Sequence, residues 1–324
     1  MSETDLLVEP LLQQLEEDYD GIQVAAVGGG HGLSAALQAI LHYADAVTAI
    51  VTVADDGGSS GRIAPDLGIP PPGDIRRALI AMSNQPSLWR SLMEYRFASS
   101  DVAGHSLGNL ILAATTDLSG GFSDAVDTVG RLLGARGAVV PVAEERLELE
   151  ADVNGEIVRG QTAIALSRGL ITDLRVIPDA VASRRALEAI GAADQIVLGP
   201  GSLFTSVIAP LKVAGMRDAI NESKGALVYV CNLTSQDGET FGMSGLEHLE
   251  ALIAVGGIRS PDVVVAHEGP LDVPEGLDRI EFDVSQVAET GIRLEFGNIA
   301  HDGAGWPAHD PPRLGAVLRR LGVT

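Results

Sequence analysis

An apolar segment over 23–27 runs into Gly28-Gly29-Gly30-His31-Gly32, then into a helical pattern over 33–43, then into a second apolar segment over 47–53. Apolar run, glycine turn, helix and apolar run make a βαβ unit. Its two strands must lie parallel, and a parallel sheet needs helices on its faces. This one feature predicts an α/β protein with a Rossmann-like, doubly wound, mainly parallel sheet. Aromatic residues make up only 4% of the chain against 46% hydrophobic residues, so the core must be built from Ala, Val, Leu and Ile, which suits such a sheet.

Helical segments are expected over 75–82, 88–97, 107–116 and 123–133, the last two separated by Gly120-Gly121. The texture changes from Ala138. Residues 146–153 alternate apolar and polar, Asn154-Gly155 is a type I′ turn signal, and 156–159 continues beyond it. An antiparallel hairpin inserted near 138–177 is the reading. Alternation then resumes, with strands over 195–198, 226–231 and 262–266, helices over 212–221 and 245–255, and a last helix over 312–321 capped by Asp310. Residues 21–324 thus read as one α/β domain. Residues 1–20 carry seven acidic and no basic side chains, an acidic extension with leucines on one side of a helix and none of the features of a secretory signal.

Charge narrows the partners. With 44 acidic and 22 basic residues, the formal net charge of −22 repels nucleic acid and anionic lipid. No apolar stretch approaches the ~20 residues of a membrane span, so no membrane insertion is expected. The lone Cys231 cannot form an intrachain disulfide, which fits a cytoplasmic protein. An anionic ligand would be repelled at long range as well. Its site must therefore use main-chain N–H groups and helix N-termini.

The loops at strand ends are built for that. Gly29, Gly30, His31 and Gly32 let phosphates approach the backbone, but Leu33 stands where the dinucleotide fingerprint needs its third glycine. That weakens an NAD-dependent reading. After the second strand come Asp55, Asp56, Gly57, Gly58 and Ser59, on a loop read as mobile; the carboxylates suit a ribose hydroxyl, a metal or general-base work. The turn 70–73 delivers Asp74 as the N-cap of a helix, with Arg76 and Arg77 within reach of phosphate or on a solvated face. Asn109 lies in the polar stretch 104–109 that opens another helix. Gly199, Gly201, Ser202 and Leu203 form a second anion cradle, and Asn232, Thr234 and Gln236 offer amides and a hydroxyl to a base or sugar.

Taken in order, the stretches GGGHGLS, TVADDGGSSGR, PPGDIR, HSLGNL, GPGSLFTS and CNLTSQDGET resemble the gluconeogenesis factor family, the YvcK-like branch of the CofD-like (2-phospho-L-lactate transferase) superfamily, over about 24–321. The resemblance implies a Rossmann-like fold that binds UDP-sugars such as UDP-N-acetylglucosamine through the loop residues named above. It also implies a regulatory role in cell-wall synthesis, cell shape and gluconeogenic growth, with no obligatory cofactor, a homo-oligomeric state and cell-wall synthesis proteins as partners. His31 stands where Thr is usual in the family, and Arg77 where Asn is usual. The alternative is a CofD-like transferase, which moves a phosphate-linked group from a nucleotide donor with a metal such as magnesium. Asp55 and Asp56 would then do the chemistry. The Gly-Gly-Ser-Ser-Gly-Arg continuation after them fits the non-catalytic branch better.

Overall fold

The structure, a computed structural model, describes residues 21–302 and 306–321; the acidic start over 1–20 lies outside the described residues. Strand β1 (Gln23–Gly28), helix α1 (Gly30–Ile40) and strand β2 (Ala46–Val51) form the βαβ unit, with β1 and β2 parallel from Gln23↔Ala46 to Gly28↔Val51. The helix starts three residues earlier than its apolar pattern. Gly29 at the cap is extended and Gly30 takes φ +68°, which completes the turn within one residue.

Five helices follow before the next strand: α2 (Gly58–Leu67), α3 (Gly73–Met82), α4 (Ser87–Glu94), α5 (Leu107–Ser119) and α6 (Phe122–Leu132). Helix α2 corrects the reading of 55–62 as a mobile loop. Its glycines, serines and Pro65 are poor helix formers, yet Ser59, Ser60, Ile63 and Ala64 are buried, and burial overrides propensity. Strand β3 (Ala138–Pro141) pairs parallel with β2 and so belongs to the main sheet, not to the insertion.

The insertion proper begins with β4 (Glu148–Val153) and β5 (Glu156–Arg159), a hairpin whose turn residues Asn154 and Gly155 both have positive φ, as a type I′ turn requires. Helix α7 (Gln161–Leu166) and strand β6 (Ile171–Ile177) follow. Because β6 pairs antiparallel with the free side of β4, the insertion is a three-stranded sheet of order β5-β4-β6.

The chain returns to the main sheet through α8 (Arg184–Ala192) and β7 (Gln195–Leu198). A π-helical turn at Leu203–Ile208 and a 3₁₀ turn at Ala209–Lys212 precede α9 (Met216–Glu222), which starts later than its expected 212. Next come β8 (Ala226–Val230), α10 (Gly245–Ala254), β9 (Val263–His267), α11 (Val284–Glu289), β10 (Arg293–Gly297) and α12 (Pro311–Leu321). Asp310 caps α12, its Oδ1 accepting from the Arg313 N–H at 3.0 Å.

The main sheet runs β10-β9-β8-β7-β1-β2-β3, and every pairing is parallel. The chain steps outward from β1 to β3, then crosses back to β7 and steps outward the other way. The topological switch therefore lies between β1 and β7, where the loops leaving the two strands part and leave a crevice. Alternate residues feed two cores: Ala25, Val27, Ile50, Ile196 and Leu198 on one face, Val24, Ala26, Ala49, Val51 and Val197 on the other. Leu149, Ala151, Leu174 and Val176 of the inserted sheet join the first core, so that sheet is packed onto the main one. No described helix is long and apolar enough to cross a membrane.

Candidate functional site

The crevice at the switch point holds a cavity of about 500 Å³, within the range of small-ligand sites. From the sequence-predicted set, Gly29, Gly30, His31, Gly32, Asp55, Asp74, Gly201, Ser202, Asn232, Thr234 and Gln236 line it. Loops far apart in the chain meet here because all of them leave the carboxyl edge of one parallel sheet. The meeting is tight: a Cβ on Gly32 would collide with the Pro200 carbonyl, so the loops after β1 and β7 touch only because residue 32 has no side chain.

One wall is charged. Asp74, 4% exposed, does not cap α3; Pro72 holds the cap position and Asp74 sits in the first turn. Its carboxylate turns back to accept from the Gly30 N–H and from Arg77 Nη1 at 2.5 Å. Burial pushes the Asp74 carboxyl up to about 6, with the neighbouring Asp55 charge adding to the rise and Arg77 opposing it. Asp55 is oriented by the Gly57 N–H, which donates to its Oδ1 at 3.0 Å. His31 is held below its ordinary value by burial and then by the charges of Arg77 and Arg76, so it is neutral near pH 7.

The opposite wall is neutral. Asn232 clamps the loop after β7 with two bonds, its Oδ1 accepting from Gly201 N–H at 2.9 Å and its Nδ2 donating to the Gly201 carbonyl at 2.7 Å. Gln236 donates from Nε2 to Ser202 Oγ at 2.9 Å. Its Oε1 is buried without a partner, so a ligand donor reaching it would satisfy it.

The other expected residues do not line the cavity. Ser59, Arg76 and Asn109 form a buried network behind the charged wall: Arg76 Nε donates to Asn109 Oδ1 at 2.9 Å, and Asn109 Nδ2 donates to Ser59 Oγ at 3.1 Å. This network locks α2, α3 and α5 together. Asp56 Oδ1 accepts from both the N–H and the hydroxyl of Thr162, tying the inserted sheet to the loop after β2. Leu203 is fully buried in the core, and Gly57 and Gly199 shape the loops rather than the cavity surface.

Sequence reasoning missed Gln161, Trp306 and His309, which also line the cavity. Gln161 opens α7 of the inserted sheet. His309 makes a 3.2 Å bond to the Cys231 carbonyl, and burial lowers its pKa to about 4. The ring is thus neutral at pH 7, and because a carbonyl only accepts, Nε2 carries the proton and Nδ1 is a bare acceptor. His309 and Trp306 lie in a stretch of mixed composition before α12, with no motif to draw attention to them.

A doubly wound parallel sheet with a polar cleft at its switch point defines a Rossmann-like protein. A family model described as "2-phospho-L-lactate transferase CofD" matches residues 24–299. The "Gluconeogenesis factor" of Bacillus subtilis is 36% identical over 308 residues, covering 91% of this chain and 96% of its own; that of Halalkalibacterium halodurans is 41% identical over 251 residues, covering 76% and 78%. A crystal structure of a UPF0052-family protein from Bacillus halodurans superposes with a TM-score of 0.88 at 35% identity, covering 92% of this chain and 99% of that one. The chain belongs to the CofD family and, within it, to the gluconeogenesis factors.

Proposed function

We propose that the protein binds a uridine diphosphate sugar, UDP-N-acetylglucosamine foremost, in the switch-point cleft and acts in the cytoplasm as a ligand-responsive regulator of cell-wall synthesis, cell shape and gluconeogenic growth. The observation that carries the reading is the cavity itself. It sets glycine loops able to approach phosphates on one side and the neutral side chains of Asn232, Thr234 and Gln236, suited to a base or sugar, on the other. The name of the bacterial relatives, gluconeogenesis factor, supports the gluconeogenic part of the reading. A ligand filling the cleft would also bridge the main-sheet loops, Gln161 of the inserted sheet and the Trp306–His309 stretch. Its presence would favour the arrangement in which these parts close on it, and a cell-wall partner that prefers that arrangement would read occupancy as affinity. Calorimetric titration with UDP-N-acetylglucosamine, UDP, GDP and NAD tests the reading. Saturable binding of the uridine ligands in preference to NAD is expected; no binding of any uridine nucleotide would overturn it.

A transferase is the second reading, favoured by the family model's description and by two carboxylates, Asp55 and Asp74, lining one cavity. A carboxyl raised to about 6 is suited to take a proton from an acceptor hydroxyl near neutral pH. Among the described residues no group of three or more His, Cys, Asp or Glu is placed to hold a metal ion. Magnesium often binds through one or two carboxylates plus substrate phosphates, and Asp55 with Asp74 fits that donor set. Bound there, it would neutralise charge on the transferred phosphate group. Asp56 is engaged with Thr162 instead. Loss of a metal-dependent turnover in Asp55→Asn would support this reading, and a wild type that binds the nucleotide sugar but turns nothing over would remove it.

A further inference from the structure

A second cavity of about 330 Å³ opens beside the first and shares His31 and Arg77 with it. Arg76, Arg90 and Arg96 also line it, so four guanidinium groups meet in a chain whose acidic residues outnumber its basic ones two to one. Glu94 is the only carboxylate in the lining.

The arginines are positioned mainly by neutral acceptors. Arg76, 5% exposed, donates to Asn109 Oδ1 and to the Met93 carbonyl at 3.2 Å; Arg90 donates to the Ser83 carbonyl at 3.4 Å, and Arg96 to the Gly104 carbonyl at 3.1 Å. Carbonyl and amide oxygens fix a guanidinium without cancelling its charge. Among the described residues, the only carboxylate in an ion pair with any of the four is Asp74, on Arg77. The positive field is felt nearby: Arg76 is lowered to about 10 by burial and by the charges of Arg77 and Arg96.

We propose that this pocket is a second ligand site, separate from the switch-point cleft, for the dianionic phosphate of a small phosphomonoester held by Arg76, Arg90 and Arg96. A phosphomonoester presents three acceptor oxygens and close to two negative charges, which suits three converging guanidinium forks better than a single carboxylate does. The cavity volume lies at the lower end of small-ligand sites and below that of the cleft, which suits a metabolite smaller than a nucleotide sugar. Arg77 and His31 form the shared wall, so an anion in this pocket changes the electrostatic potential the cleft presents. The proposal stands whether or not the cleft binds a nucleotide.

Calorimetric titration with glycerol 3-phosphate and inorganic phosphate, with glycerol and sodium chloride as controls, tests it on the full chain. Saturable binding of the two phosphates is expected. The Arg90→Gln/Arg96→Gln double variant, both of whose sites are exposed, should weaken it by about 10-fold or more, a factor of ten in affinity being one ordinary charged contact. An Arg131→Gln/Arg136→Gln variant removes the same charge elsewhere and should leave it unchanged. Unaltered thermal unfolding and unaltered uridine-nucleotide titration of the first double variant would separate this pocket from the cleft. Absence of phosphate binding to the wild type, equal weakening in both double variants, or a response that sodium chloride reproduces at equal ionic strength would overturn the proposal.

Discussion

Two buried carboxyls stand on opposite sides of the cleft, and their surroundings differ. Asp74 sits among charges, with Arg77 against it and Asp55 beside it. Glu239, behind the neutral wall, sits among neutral donors: its Oε2 accepts from the Thr205 N–H at 3.3 Å, hydroxyls of Thr205 and Ser202 also reach the carboxylate, and its Oε1 has no partner. Burial lifts both, Asp74 to about 6 and Glu239 to about 7. A nearby cation lets a buried carboxyl ionise near neutral pH; neutral donors hold it part-protonated there. The charged side is therefore fixed by mutual neutralisation, and the neutral side by hydrogen bonds whose strength depends on a proton.

The comparison can be broken most strongly at Arg76. Arg76→Ala removes a buried guanidinium and leaves Asn109 Oδ1 and the Met93 carbonyl without that donor, with an expected loss in urea unfolding of about 1–3 kcal/mol for each of the two acceptors. Lysine would not restore the fork geometry. Next comes Glu239. Its folded-state pKa lies above the ordinary value of 4.5, so the folded form keeps a proton that the unfolded chain has released. Stability from this group is present at low pH and is lost as pH rises through about 7. Glu239→Gln should remove about 3 kcal/mol of the stability difference between acid and alkaline conditions, measured as urea midpoints at about pH 5 and pH 8; identical pH slopes in variant and wild type would contradict the assignment.

Asn232→Ala sharpens the same contrast on the neutral wall. It frees both the N–H and the carbonyl of Gly201, and should cost about 2 kcal/mol in urea unfolding and weaken uridine-nucleotide binding by a similar free energy in calorimetry. The smallest effect is expected at the join to the inserted sheet. Thr162→Val removes one hydroxyl bond to Asp56 at an exposed site while leaving the backbone bond, and should cost under about 1 kcal/mol while making the β4–β6 region more open to limited proteolysis.

The convergence of the cleft's loops is legible in the sequence. The loops after β1, β2, β7 and β8 break long apolar runs with glycine, serine, aspartate and asparagine, and a parallel sheet puts all those breaks on one edge. What was not legible depends on packing. Helix α2 is written in residues that disfavour helices and forms because its serines and Ile63 are buried. Leu203 lies inside a motif of otherwise polar character, yet the π-helical turn sends every residue from Leu203 to Ile208 into the interior. Gln161 and His309 reach the cleft by tertiary routes, one through the inserted sheet and the other through a stretch that folds back so that His309 bridges Ala300, three residues past the end of β10. Asp74 lines the cleft but does not cap its helix; its partners lie on the glycine loop and one turn ahead in its own helix.

Only two tryptophans occur in the chain. Trp306 lines the cleft with 74% of its surface exposed, whereas Trp89, on α4, lines neither the cleft nor the arginine pocket. Indole emission moves to shorter wavelength when water is displaced from around the ring. The cleft thus carries its own optical reporter, and in a Trp89→Phe chain the arrival of a ligand there could be followed without signal from elsewhere.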